Sequence, residues 1–83
     1  MTEHSVVTAV DDRGQRVLVH TPWGYTVAVV HSGTLGVGAR LEGMEHELGV
    51  QHCRDAATGA AIEVEVLVPP SERAVAEKMF IGN

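Results

Sequence analysis

The chain is short of the residues that staple, stack and anchor a fold. Its one cysteine, Cys53, excludes an internal disulfide, so the structure must stand on packing alone. Trp23, Tyr25 and Phe80 are its only aromatics, which excludes an aromatic-rich core. Lysine occurs once, at Lys78, and six cations face eleven acids for a formal net charge of −5. Generic duplex binding needs clustered Lys and Arg, and this composition excludes it as a main activity. No apolar run approaches the ~20 residues of a membrane-spanning helix. The opening Met-Thr-Glu-His has no basic segment followed by an apolar run, so no secretory signal is read there, and a cytoplasmic protein is expected.

What the chain does have is valine, fourteen of them in 83 residues. Side chains branched at Cβ suit pleated surfaces, so a mainly β fold is expected. A hydrophobic content of 45% is that of a globular domain. The length makes a single domain, 1–83, which buries roughly 60–65% of its unfolded surface. The clearest stretch is 61–68, where Ile62, Val64, Val66 and Val68 alternate with Glu63 and Glu65. That is a half-buried strand with one apolar and one wet face, stopped by Pro69-Pro70.

Upstream, 5–10 and 15–20 read as strands joined by the turn Asp11-Asp12-Arg13-Gly14. Val17 and Val19 share one face of the second strand, and Arg16, Leu18 and His20 the other. Thr21-Pro22-Trp23-Gly24 is the best turn signal, and 25–30 is the third strand of an antiparallel meander. Gly33, Gly36 and Gly38 break the pattern as turn and bulge glycines. A short fourth strand follows at 39–42. Residues 50–54 can pair with 61–68 through the turn at 55–59, and 44–48 is loop or strand extension. After Pro70, Ser71 suits an N-cap, and the pairs Val75/Met79 and Ala76/Phe80 make an apolar stripe on a short helix over 71–81, ended by Gly82.

Three meandering strands, a glycine-rich break and the Val-Gly-x-x-Leu-x-Gly run at 37–43 resemble the OB-fold, the oligonucleotide/oligosaccharide-binding barrel. The resemblance spans about 5–68, and an SH3-like barrel has similar strand spacing. It implies a five- or six-stranded antiparallel barrel with a C-terminal helix or tail at 69–83. It also implies a ligand face on strands two and three. Carried over, that face points to Arg16, His20, Trp23 and Tyr25, with Arg13 on the first loop. The loop after the fourth strand departs from the pattern: it carries Glu45 and Glu47, which repel phosphate.

Each constellation has a plainer reading. Trp23 and Tyr25 beside Arg16 could stack bases, or could plug one end of the barrel. His46, His52 and Cys53, with Glu45, Glu47 and Asp55, are the densest set of metal-ligand types. However, neighbours in a strand point to opposite faces, and no second ligand pair has a recognisable spacing. The same geometry argues against Cys53 as a nucleophile with His52 as its base. No enzyme activity, cofactor or metal is therefore expected.

The remaining oddity is an apolar outer face. With Val17, Val19, Val27 and Val29 inward, Leu18, Ala28 and Val30 point out and need a cover. A second copy of the chain is one candidate. The other is the C-terminal helix, laying Val75 and Met79 over them. The sharp turn needed at Pro69-Pro70 favours the second copy. The expected function is a non-enzymatic module that engages a protein partner or itself, with single-stranded nucleic acid as the alternative ligand.

Overall fold

The computed structural model describes residues 4–45 and 47–81. Six strands form: β1 (Ser5–Val10), β2 (Arg16–Thr21), β3 (Gly24–Ser32), β4 (Arg40–Glu42), β5 (Gly49–Asp55) and β6 (Ala61–Val66), followed by one helix, α1 (Arg73–Ile81). The strands close into a barrel in the order β1-β2-β3-β6-β5-β4, with β4 returning to β1. Every pairing is antiparallel. The fold is thus mainly β, a closed six-stranded barrel with a short C-terminal helix.

Turn chemistry sets the hairpins. At β1–β2 the Asp11 carboxylate accepts the backbone N–H groups of Gln15 at 2.9 Å and Arg16 at 3.1 Å. At β2–β3 the Thr21 hydroxyl donates to the Gly24 carbonyl at 2.7 Å and accepts the Trp23 N–H at 3.1 Å. The barrel interior is filled by Val7, Val17, Val19, Ala28, Leu35, Leu41, Met44, Cys53, Ile62, Val64 and Val66. Ile62, Val64 and Val66 are inward as the alternation requires, and Glu63 and Glu65 lie outward. Gly33 closes this packing: a Cβ there would meet the Ile62 side chain at 2.5 Å, and its φ of +97° disfavours any other residue.

The structure corrects the faces of β3. A two-residue turn pairs Thr21 with Gly24, so Val17 lies opposite Ala28 and Leu18 opposite Val27. Directly opposed residues share a face. Ala28 and Val30 therefore point into the barrel, and Val27 joins Leu18 outside. Alternation along β3 alone is ambiguous because Val27, Ala28, Val29 and Val30 are all apolar, and the turn decides the parity.

The cover is also corrected. It is α1 of the same chain, which packs on β2 and β3. A second cluster of Leu18, Val27, Val68 and Ala76 forms outside the barrel, with Ala9, Tyr25 and Phe80 against it. The helix presents Ala76 and Phe80 to the sheet, whereas Val75 and Met79 are about half exposed. Ser71 is not the expected N-cap. Its backbone is paired with Tyr25, and its hydroxyl donates to the Pro69 carbonyl at 2.8 Å. Pro69-Pro70 does turn the chain back, because the segment before α1 is tied along β3. The Leu67 N–H donates to the Val27 carbonyl at 2.8 Å, and the Thr26 hydroxyl donates to the Val68 carbonyl. Gly82, the expected helix stop, lies outside the described residues.

Candidate functional site

The five residues expected to bind a ligand fall into two groups at opposite ends of the β2–β3 outer face. Arg13 is exposed on the β1–β2 turn, and Arg16 begins β2. His20, Trp23 and Tyr25 sit four or more residues further on, about 13 Å away at strand rise. Helix α1 spans the gap. At one end Arg16 Nη1 donates to the Phe80 carbonyl at 3.2 Å, satisfying one of the helix's terminal acceptors. At the other end Tyr25 and Ser71 exchange backbone hydrogen bonds of 2.9 and 2.8 Å. Arg73 lies over the Tyr25 ring at 5.9 Å, and the His20 ring stacks on the Tyr25 ring with centroids 4.3 Å apart and planes 13° off parallel. Gly24 permits this closeness: its φ is +134°, and a Cβ would sit 3.0 Å from the Ser71 carbonyl oxygen.

Arg16 and Tyr25 are thus clamps on the helix. Tyr25 and Trp23 do not plug the barrel, since Tyr25 packs against the cluster outside it, and the face between Arg16 and Tyr25 is occupied. Trp23 remains 51% exposed at the hairpin tip.

Besides Val37 and the outer side of α1 at Val75, Met79 and Ile81, an uncovered apolar strip lies on the barrel next to the helix, on β5 and β6. Outward positions on β5 are Val50, His52 and Arg54, because Cys53 is inward against Ile62. Val50 pairs with Glu65, whose other neighbour is Val29 of β3. The register that pairs Gly49 with Val66 brings Leu48 and Leu67, the next residues outward, to the same end of the sheet. Leu48, Val50 and Leu67 are 57%, 55% and 44% exposed. Leu67 adjoins Val27, so the strip begins where the helix footprint ends.

The loop before β5 is pinned by one carboxamide. Gln51 Oε1 accepts the Glu45 N–H at 2.7 Å, while Gln51 Nε2 donates to the Glu45 carbonyl at 3.0 Å and the Glu47 carbonyl at 2.5 Å. This holds Glu45 and Glu47 beside Leu48 in a cleft of about 260 Å³ that Val50 and His52 also line. Further along the face, Glu65 meets His31 at 2.9 Å and Glu63 meets His52 at 3.9 Å.

Sequence reasoning passed over this strip because 43–60 carries no clean alternation. A signal existed nonetheless: outward positions 63 and 65 are glutamate, and the next, 67, is leucine.

Other chemistry is sparse. Burial in the core raises the Cys53 thiol pKa, which keeps it protonated at neutral pH, and His52 is on the opposite face. Among the described residues no three His, Cys, Asp or Glu groups gather as a metal site, and His46 lies outside them. Among the described residues no helix is long and apolar enough to cross a membrane. Comparison of the chain with protein-family models, with curated proteins and with solved structures finds no match to any of them.

Proposed function

We propose that this chain is a non-enzymatic interaction module that engages a protein partner, or a second copy of itself, through the outer face of β5 and β6. One observation carries the reading. With α1 laid over β2–β3, the strip Leu48, Val50 and Leu67 stays about half exposed on a barrel that is otherwise well filled. Apolar side chains grouped on a rigid sheet and ringed by polar ones are the usual centre of a protein interface. The test uses Val50→Asp and Leu67→Asp, both surface changes that spare the core. Sedimentation across a concentration series, and capture of binding proteins on the immobilised chain, are compared with wild type. The reading expects a dimer or a captured protein that both variants lose. A monomer at every concentration, with identical capture by wild type and variants, would overturn it.

The second reading is an OB-like single-strand binder, favoured by exposed Trp23 beside the His20–Tyr25 stack and Arg73. The stacked His20 and Tyr25 rings with the Arg73 guanidinium, and the exposed Trp23 of the same hairpin, could stack bases beyond the helix. Few cations stand behind it, so binding would be weak and lost as salt rises. Titrating Trp23 emission with a short single strand at low salt decides it. Unchanged emission at high micromolar strand concentrations removes this reading.

A further inference from the structure

Resting on the β5–β6 reading above, we infer that the occupant of this face is a basic amphipathic segment of a different protein. The first argument is charge. Glu45 and Glu47 border Leu48, no ion pair ties either of them to a described cation, and Glu65 stands between Val50 and Val29. Among the described residues of the face the one formal cation is Arg54, and the imidazoles of His31 and His52 lie against Glu65 and Glu63. A segment presenting leucine-like side chains to the strip and Lys or Arg to the rim satisfies both features.

The second argument removes the competitors. A two-fold dimer through this face would bring together two copies of a patch on which Glu45, Glu47, Glu63 and Glu65 outweigh Arg54, so the two net-acidic surfaces repel. Phosphate would meet the same repulsion. The third argument is size. Three half-exposed side chains and a cleft of about 260 Å³ suit a short segment. They fall well short of the roughly 800 Å² per partner of a standard interface between globular proteins. The carboxamide clamp of Gln51 holds the rim in place before binding, so little ordering cost is left for association.

The experiment titrates the full chain with short synthetic peptides that alternate leucine with lysine, with glutamine or with glutamate, followed through backbone amide shifts. The lysine peptide is expected to move amides in 47–52 and 65–67. Its affinity should exceed that of the glutamine peptide about tenfold, and the glutamate peptide should not bind. Paired changes Leu48→Ser with Val50→Ser, and separately Glu45→Gln with Glu47→Gln, should each weaken the lysine peptide about tenfold. Equal binding of the glutamine peptide would overturn the basic partner while leaving the interaction face standing. Shifts confined to other residues, or affinity unmoved by either pair of changes, would overturn the site. A dimer of the unmodified chain abolished by Val50→Asp would replace the foreign segment with a second copy.

Discussion

Leu18→Ala, made in the whole chain and in a chain ending at Pro70, measures what the helix does. Leu18 is 4% exposed, although it points away from the barrel interior. Its cover is Ala76 and Phe80, with Val27, Val68 and Tyr25 beside it. Truncating a buried leucine costs about 2–5 kcal/mol. The helix contributes a single fully buried residue, so the lower part of that range applies, about 2–3 kcal/mol. For a domain of this size that lowers the melting temperature by about 10–20 °C. Without α1 the same side chain faces water, and its loss should cost only about 0.5–1 kcal/mol, from contacts along the sheet. The coupling between helix and Leu18 is then about 1–2.5 kcal/mol. Urea unfolding followed by far-ultraviolet circular dichroism gives all four stabilities. The shortened chain should still fold, because the barrel closes without the helix. Equal cost of Leu18→Ala in both backgrounds would refute the claim that α1 buries this face.

Other consequences concern the core, the clamp and the turn. Val64→Asp should unfold the chain by placing an unpaired charge in a fully buried site, whereas Glu65→Lys should leave a cooperative melt within about 1 kcal/mol of wild type. Arg16→Ala removes the donor to the Phe80 carbonyl. It should cost about 0.5–1.5 kcal/mol and speed amide exchange in α1 while that of β5 and β6 is unchanged. At Asp11, partial desolvation pushes the carboxyl pKa up. The N–H groups of Arg16 and Gln15 and the Arg16 charge outweigh it, so the net pKa is lowered. A lowered folded pKa gives stability that is present above the unfolded value and lost as pH falls through the folded one. Asp11→Asn should therefore flatten the loss of stability below about pH 4, read from urea midpoints across acid pH.

Strand positions were legible wherever valine alternates with a polar partner, as in β2 and β6, and the turns at Asp11–Gly14 and Thr21–Gly24 were legible from their chemistry. What failed was a matter of parity. Four apolar residues in a row, Val27 to Val30, fit either face, and only the two-residue turn fixes which pair points inward. The helix failed similarly. Val75/Met79 and Ala76/Phe80 are both spaced four apart, and close approach to the sheet selects the pair led by the small alanine. Arg16 and Tyr25 stand out in the sequence as candidates for a ligand face, but their partners lie 64 and 46 residues away in sequence, at Phe80 and Ser71, beyond the reach of local patterns. The strip at Leu48, Val50 and Leu67 arises from two segments meeting through the β5–β6 register, which a single-strand reading does not contain.

One outer face of the barrel is covered by the chain's own helix, and the β5–β6 strip that we propose as the partner site is uncovered. Broadening of methyl resonances by a soluble paramagnetic agent tests both halves in a single spectrum. The methyls of Leu48, Val50 and Leu67 should broaden strongly, and those of Leu18, Val27 and Val68 should be as protected as Val64 inside the barrel. Strong broadening at Leu18 and Val27, or protection at Leu48 and Val50 in the isolated monomer, would contradict the account.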